Sequence, residues 1–251
     1  MLKIKLEDIM NFFVDKEKIK DNCIYIDSSD VNHIKNVLRK SIGDILDIVS
    51  DNIKYKAEIS EMSQDVIKCE ILEAIESENR RINLTIFQGL AKADKIEYII
   101  QKCTELGVYE IIPIEMKRCV VRLDGKDKEK KLDRWKKIAE VASKQSLRND
   151  ILKVDKIMSF KNMLEELEKY DLVILAYEKE KDTSLKNILE NVDSNVFNIA
   201  VIIGPEGGID EAEAEEITKL GAKSVTLGKR ILRTETAPVA ISAMIMYELE
   251  Y

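Results

Sequence analysis

The chain has 251 residues, of which 45% are hydrophobic and 35% charged, a composition typical of a globular protein with one large or two small domains. No apolar run approaches the roughly 20 residues that span a bilayer, and the N-terminal segment is too charged for a secretory signal. We therefore expect a cytoplasmic protein with no membrane partner. The net charge of -7 argues at first against a nucleic-acid partner as well.

The cysteines and the single histidine form no pattern typical of a metal site. Cys23, Cys69, Cys103 and Cys119 lie far apart and make no C-x-x-C pair, so we predict free buried thiols and no bound metal. His33 alone argues against a histidine-rich zinc site or a Ser-His-Asp triad. We interpret it as structural or RNA-facing.

The negative charge is unevenly distributed. Residues 1–75 carry a net charge of -4, residues 76–150 of +4 and residues 151–251 of -7. Between Lys117 and Arg148 there are 12 basic and 5 acidic residues. Such a run is typical of a solvated helix face with internal ion pairs, and it also fits a local polyanion-binding stripe. Charge alone leaves both interpretations open.

The first 75 residues favour a small β-barrel-like domain. One amphipathic helix is predicted over Asp30–Arg39, between short β-like runs that are separated by turn signals. These runs are Asn11–Val14, Cys23–Ile26, Ile45–Val49, Ile53–Ile59 and Val66–Leu72. We therefore predict two domains, residues 1–75 and residues 76–251.

After residue 80, strands alternate with helices, which predicts an α/β fold with a mostly parallel sheet and a ligand site at the carboxyl ends of its strands. The predicted strands are Ile82–Phe87, Tyr109–Ile114, Leu172–Leu175, Phe197–Ile203 and Ser224–Leu227. The predicted helices are Ala93–Leu106, Lys128–Ser146, Asn162–Glu168, Asp210–Leu220 and Val239–Leu249. The last helix is apolar on nearly every face, so we expect it to pack on its own sheet and on a second subunit.

Three loops that follow strands could meet at one sheet edge: Val173–Glu180, Gly204–Gly208 and Thr226–Ala240. The glycine-rich loop GPEGG lacks the Lys-Ser/Thr pair of a phosphate-binding loop and the early dinucleotide fingerprint. Its own Glu206 and the acidic residues that follow would repel phosphate, although an acidic first turn also suits a helix N-terminus. A neutral or cationic ligand such as adenosine or a sulfonium therefore fits better.

The third loop combines close backbone approach with basic charge. Gly228 permits such an approach, and Arg230 and Arg233 lie three residues apart. Thr234–Thr236 resembles a helix-capping segment before Pro238. A capped helix start accounts for the threonines but does not require the two arginines.

These loops together resemble the bacterial 16S ribosomal RNA uridine-N3 methyltransferase family of the SPOUT class. The motifs that carry the resemblance are IIGPEGGIDEAE and LGKRILRTETAPVA. Three further segments match in order: HIKNVLRKSIGD (33–44), GLAKADKIEYIIQKCTELGVYEIIP (89–113) and RWKKIAEVASKQSLRN (134–149). The resemblance covers the chain from about residue 10 to its end.

The resemblance implies an N-terminal PUA-like β-barrel, a C-terminal domain with a deep trefoil knot, and a homodimer formed through the C-terminal domain. Knots are rare exceptions to ordinary chain topology, so periodicity alone does not suggest one. It also implies S-adenosylmethionine as cofactor. The implied cofactor-binding residues are Leu175, Ala176, Tyr177, Gly204, Pro205, Glu206, Gly207, Gly208, Leu227, Gly228, Ile231, Leu232, Arg233, Thr236 and Ala237.

The implied reaction transfers a methyl group to N3 of a uridine in 16S ribosomal RNA of the small subunit. N3 must lose a proton, so we expect Arg148 and Arg233 to stabilise the developing anion and Glu206 or Glu235 to take the proton. N3 also pairs with adenine, so the base must be unpaired or flipped out. The residues expected to contact RNA are Arg39, Lys92, Arg118, Arg122, Arg134 and Lys144.

Two departures from the family pattern stand out. Met1–Ile9 is an extension without an assigned role, and Lys144-Gln145-Ser146 replaces the usual Glu-Gln-Ser. The alternatives are a ribose 2′-O methyltransferase of the same fold and a non-catalytic RNA-binding factor of ribosome assembly. An ATP-binding enzyme is disfavoured because the phosphate loop is missing.

Overall fold

The computed structural model describes residues 10–27, 29–76 and 80–250, so the extension Met1–Ile9 lies outside the described residues. Two compact units emerge from the contacts within the chain. Among the described residues, the first combines those up to Glu76 with Val141–Ile151, and the second combines Arg80–Glu140 with those from Leu152 to Glu250. None of the helices in the described part of the chain is long and apolar enough to cross a membrane.

The first unit is built on a six-stranded sheet. In spatial order β1-β4-β5-β6-β3-β2, every neighbouring pair is antiparallel except β1 and β4, which are parallel. The strands are β1 (Asn11–Phe13), β2 (Ile19–Lys20), β3 (Cys23–Ile26), β4 (Ile45–Ser50), β5 (Ile53–Met62) and β6 (Ile67–Glu76). The helix α1 (Ser29–Asn32) continues as a π-helical turn over His33–Val37.

The five predicted strands and the predicted helix of this unit are all present. The two-residue strand β2 was not predicted, because two residues are too few to show an alternating pattern. Asp51 and Asn52 join β4 to β5 with φ of 48° and 61°, the left-handed conformation that tight hairpin turns need and that Asn and Asp tolerate.

Local periodicity does not reveal that Val141–Ile151 packs with this sheet. The Nδ2 atom of Asn11 in β1 donates to the carbonyl oxygen of Arg148 at 2.8 Å. Lys144 Nζ lies 2.8 Å from Asp30 Oδ1 in α1. Asn11 is fully buried, and the side chain of Lys144 is only 8% exposed. Polar contacts therefore fix this distant segment to the first unit.

The second unit contains a seven-stranded sheet whose strand pairs are all parallel, which confirms the predicted mostly parallel sheet. The spatial order is β10-β8-β7-β12-β11-β13, with β9 paired to β8. The strands are β7 (Asn83–Gly89), β8 (Glu110–Glu115), β9 (Lys153–Val154), β10 (Met158–Ser159), β11 (Leu172–Ala176), β12 (Asn198–Ile203) and β13 (Lys223–Val225). The two-residue strands β9 and β10 were too short to predict.

The helices of this unit follow the predicted alternation, and only the five-residue α5 was missed. They are α2 (Ala93–Glu105), α3 (Gly125–Gln145, whose residues from Val141 belong to the first unit), α4 (Phe160–Glu166), α5 (Leu185–Leu189), α6 (Glu211–Lys219) and α7 (Thr236–Leu249). The helix α7 begins three residues before the predicted start. A proline is tolerated in the first helical turn, so Pro238 does not delay the helix.

The strand order determines where a ligand can bind. The strand β12 is buried along most of its length, its neighbour β11 is buried at Ile174 and Leu175, and β7 and β13 flank the two. Because all four strands run parallel, the segments after β11, β12 and β13 leave the sheet at one edge. The three loops singled out in the sequence are these segments.

The core of the second unit should be sensitive to cavities in its central strand. Ile202 is fully buried in β12, in register with Leu175 of β11 and Phe87 of β7. Ile202→Ala should lower the free energy of unfolding by about 2–5 kcal/mol, because it removes buried methyl groups and leaves a cavity. Urea denaturation measures this loss, with Leu220→Ala as the control because Leu220 is 51% exposed. Equal effects of the two substitutions would contradict this description of the core.

Candidate functional site

The loops after β11, β12 and β13 enclose a cavity of about 1000 Å³. Thirteen of the fifteen residues predicted to bind cofactor line this cavity. They are Ala176, Tyr177, Gly204, Pro205, Glu206, Gly207, Gly208, Leu227, Gly228, Ile231, Leu232, Arg233 and Ala237. The structure thus brings together three segments that are separated by up to about 50 residues along the chain.

Leu175 and Thr236 are the two predicted cofactor residues that do not line the cavity. Leu175 is fully buried in the core of the sheet. Thr236 is exposed at the start of α7, where its backbone N–H donates to the carbonyl of Arg233 at 2.9 Å. Both were assigned as members of contiguous segments, whereas side chains alternate across a strand and rotate around a helix.

The loop Gly204–Gly208 needs its glycines for packing within the protein as well as for any ligand. A Cβ atom on Gly207 would lie 2.8 Å from the carbonyl oxygen of Arg118. Gly208 has a φ of +72°, and a Cβ there would overlap the carboxylate of Glu178. The glycines therefore let the loop pack closely against Arg118 and Glu178 while the same loop lines the cavity.

A lysine that the sequence interpretation missed joins two predicted catalytic carboxylates. Lys95 Nζ lies 3.0 Å from Glu235 Oε2 and 3.6 Å from Glu206 Oε1, and all three side chains are about one-fifth exposed. Glu206 Oε1 also accepts from the backbone N–H of Lys92 at 3.1 Å. This Lys95–Glu206–Glu235 cluster ties the start of α2 to the second loop and to the start of α7.

Lys95 and Glu235 stabilise each other's charged forms. The hydrogen bond from Lys95 to Glu235 raises the pKa of the lysine ammonium. Burial by itself would raise the pKa of Glu235, but its own backbone N–H and the Lys95 ammonium outweigh that effect and lower it. Glu235 is therefore held as a carboxylate at neutral pH, beside the cavity.

The two predicted catalytic arginines have different environments. Arg233 is exposed on the third loop and lines the cavity, while its carbonyl accepts from the N–H groups of Thr236 and Ala237 at 2.9 Å. Arg148 belongs to the first unit, and its side chain is 7% exposed. Its Nε and Nη2 atoms donate to Asp150 at 3.1–3.2 Å, a charge-assisted pair that fixes the guanidinium.

Three of the six predicted RNA-contacting residues form ion pairs within the protein. Arg134 Nε lies 2.6 Å from Glu97 Oε1, and Arg118 Nη2 lies 3.4 Å from Asp210 Oδ2. The third, Lys144, is the buried partner of Asp30 described above. These three basic residues of the run are therefore paired with carboxylates elsewhere in the chain, as the first of the two interpretations of the run expects of ion pairs.

The other three predicted RNA-contacting residues lie on the surface. Arg39 and Lys92 are exposed. Arg122 is also exposed on the surface, and its Nη2 donates to the carbonyl of Lys117 at 3.3 Å. Their ability to contact RNA stays a prediction.

The possible metal ligands and the cysteines of the described residues are distributed as follows. The residues that the structure describes contain no group of three or more His, Cys, Asp or Glu side chains that could hold a metal ion. The cysteines are free, and burial raises the pKa of Cys69 and Cys103 to about 12. Such thiols are protonated and unreactive at neutral pH.

Known proteins match the chain over nearly its full length. A family model described as an RNA methyltransferase domain matches residues 77–246, and one described as an RNA methyltransferase PUA domain matches residues 26–72. The chain is 36% identical to ribosomal RNA small subunit methyltransferase E of Bacillus subtilis, over 96% of this chain and 98% of the relative.

Two similar solved structures carry a cofactor. A ribosomal RNA small subunit methyltransferase E from Neisseria gonorrhoeae bound to S-adenosyl methionine has a TM-score of 0.81 and 28% identity, over 95% of this chain and 97% of that one. A methyltransferase from Legionella pneumophila in complex with SAM has a TM-score of 0.84 and 25% identity, over the same shares. These matches confirm the family resemblance: the chain belongs to the RNA methyltransferase family that includes the ribosomal RNA small subunit methyltransferases E.

Proposed function

We propose that this protein uses S-adenosylmethionine to methylate N3 of a uridine in 16S ribosomal RNA of the small subunit. The observation that carries the proposal is the cavity formed by the three loops within the matched RNA methyltransferase domain. The relatives named for small-subunit ribosomal RNA support the substrate, and the two SAM-bound structures support the cofactor. The choice of N3 as the methylated atom rests on the family resemblance.

The cavity suits a nucleoside with a cationic sulfonium. Its volume of about 1000 Å³ lies at the upper end of the usual range for small-molecule sites. Apolar side chains of Ile203, Leu227 and Leu232 line it and could cover an adenine ring. The carboxylates of Glu178 and Glu206 offer acceptors for hydroxyl or ammonium groups and favour a positive sulfur over phosphates.

When bound, the cofactor supplies an electrophilic methyl group on a positively charged sulfur. The work left to the protein is to position the uracil in line with that methyl group. Arg233, exposed at the cavity, can stabilise the negative charge that develops on the uracil oxygens as N3 loses its proton. Glu206 or Glu235 can accept that proton, because the Lys95 ammonium holds both groups beside the cavity.

We further propose that the second unit contains the trefoil knot of the SPOUT class. The chain leaves the edge strand β13 and returns across the ends of β11 and β12 to the region of β7. There Thr234 Oγ1 donates to the carbonyl of Gly204 at 2.7 Å and accepts from Gln88 Nε2 at 3.0 Å. This crossing supports a threaded path for the C-terminal segment. Mechanical unfolding that recovers the full extended chain length, with no residual tight loop, would contradict it.

The homodimer proposal rests on the outer face of α7. Ala240, Ala243, Met244 and Tyr247 follow helical spacing, and Tyr247 is 77% exposed. An apolar stripe of this kind is typical of a subunit interface. Analytical ultracentrifugation should give twice the chain mass of 28.8 kDa, and a 28.8 kDa species would contradict the dimer. We also propose a cytoplasmic location, because the proposed substrate belongs to the small ribosomal subunit.

The proposal is tested by incubating the purified protein with labelled S-adenosylmethionine and small subunits from a strain that lacks the modification. Digestion to nucleosides and mass spectrometry should find the label on the uracil base. Label on the ribose would support the 2′-O alternative. Absence of both methyl transfer and cofactor binding would support the non-catalytic assembly factor.

Gly89, the last residue of β7, supports the second loop. A Cβ atom on Gly89 would lie 2.5 Å from the backbone nitrogen of Pro205, so Gly89→Ala must displace the loop Gly204–Gly208. The affinity for S-adenosylmethionine should fall about tenfold or more, as measured by calorimetry, because the cavity wall moves. Gly125→Ala is the matched control, since nothing lies near a Cβ there. Equal affinity in both variants would contradict this role of Gly89.

The expected role of Arg148 is to stabilise the uracil anion. Arg148→Ala should lower turnover by roughly 100-fold or more while it leaves cofactor affinity nearly unchanged, if its guanidinium stabilises the uracil anion. Asp150→Asn is the control for the lost ion pair, because it removes the partner charge and keeps the arginine. Wild-type turnover in Arg148→Ala would eliminate the role. Equal loss in both variants, together with a lower melting temperature, would make Arg148 structural.

The pH dependence of the reaction rate should report the protonation of Glu235. A carboxyl group whose pKa is lowered in the folded protein keeps its charge until the pH falls through that lowered pKa. Lys95→Met removes the cation that lowers the pKa of Glu235, so the acidic limb of the pH–rate profile should move to higher pH. Lys95→Arg keeps the cation and should leave the limb near its wild-type position. An unshifted limb in Lys95→Met would show that the carboxylate is not required in its charged form.

A further inference from the structure

We propose that Lys229, Arg230 and Ile231 form an RNA-docking edge at the mouth of the cavity. Lys229 and Arg230 contact phosphates beside the target nucleotide, and Ile231 packs against the neighbouring base that the flipped uridine leaves unstacked. This inference rests on the proposed function and adds a contact surface that the six predicted RNA-contacting residues do not include. It also assigns Ile231, which the family resemblance placed in the cofactor site, to the RNA instead of the cofactor.

The charges of this segment are available to a partner. Lys229 and Arg230 are exposed, and neither forms an ion pair with any residue that the structure describes. In contrast, Arg118 and Arg134 are engaged with carboxylates of their own unit. A phosphate that meets an unpaired cation displaces counterions without breaking an internal pair. The mouth of the cavity is therefore the better electrostatic match for an RNA backbone.

Ile231 gives the segment an apolar tip. Its side chain is 81% exposed, the largest exposed fraction among the large hydrophobic side chains of the described residues. An exposed isoleucine contributes little to folding, because its apolar surface remains in water. Proteins that unstack nucleic-acid bases often insert an apolar side chain at the disrupted step. N3 of uridine is reached only in an unpaired base, so such a step is expected here.

The geometry presents this segment at a defined place. At one end, Thr226 Oγ1 donates to the carbonyl of Gly228 at 3.0 Å and accepts from its N–H at 3.3 Å. Gly228 has a φ of +128°, which turns the chain away from the end of β13. At the other end, the hydroxyl of Thr234 donates a hydrogen bond to the carbonyl oxygen of Gly204. The residues between these two anchors line the cavity, and Lys229, Arg230 and Ile231 among them are exposed to solvent, which places them at its mouth.

The electrostatic part is tested with the double variant Lys229→Ala/Arg230→Ala. The KM for small subunits should rise about tenfold or more, with kcat within about twofold and the affinity for S-adenosylmethionine unchanged. The slope of log affinity against log salt concentration should fall by roughly 1.4–1.8, as expected for two lost phosphate contacts. The matched control is Lys219→Ala/Lys223→Ala, because both residues are exposed and lie before or at the start of β13, away from its carboxyl end.

The apolar part is tested with Ile231→Ala against Leu220→Ala. Ile231→Ala should lower kcat/KM about tenfold without changing the salt slope, whereas Leu220→Ala should leave both unchanged. The inference is overturned if the double variant behaves like its control, if these substitutions weaken cofactor binding, or if they dissociate a dimer. An inactive wild-type protein would instead overturn the proposed function, so the two failures can be told apart.

Discussion

The hydroxyl of Thr234 is the contact on which the shape of the site depends. It donates to the carbonyl of Gly204 and accepts from the amide of Gln88, which is fully buried. One side chain thus joins the end of β7, the second loop and the entry to α7. The buried Gln88 amide also donates to the carbonyl oxygens of Gly89 at 3.0 Å and Gly204 at 3.4 Å, so Thr234 is part of one hydrogen-bond network. The hydrogen bonds therefore couple the folding of the C-terminal segment to the closure of the cavity.

The Lys95–Glu206–Glu235 cluster connects the same segments by charge. The cluster is tolerated at the edge of a cavity because the ammonium nitrogen of Lys95 lies 3.0 Å from a carboxylate oxygen of Glu235 and 3.6 Å from one of Glu206. The arrangement keeps two carboxylates next to the cavity while neutralising part of their charge. Such an anion pair favours a cationic ligand and supplies candidates for proton transfer, which links the fold directly to the proposed chemistry.

Much of the architecture could be predicted from periodicity, because long alternating or amphipathic segments carry a strong signal. The amphipathic helix α2 is of this kind, whereas β12 could be predicted as a buried strand from its continuous apolar run. The strands β9 and β10 and the helix α5 were missed, since two to five residues do not establish a period. The three loops that line the cavity could be singled out because each follows a predicted strand and two of them contain glycine, which permits a close backbone approach. The role of Lys95 could not be predicted, because a lysine in the first turn of a helix looks like an ordinary surface residue.

The burial of Lys144 and Arg148 could not be predicted from the sequence either, since it depends on contacts with Asp30 and Asn11 more than 100 residues away.

If the three loops form a site for S-adenosylmethionine, isothermal titration of the purified protein should detect it. We expect saturable binding of one S-adenosylmethionine molecule per chain. A separate titration with ATP should show no comparable binding, because the phosphates would face Glu178 and Glu206. Absence of S-adenosylmethionine binding, or preferential binding of ATP, would contradict such a site.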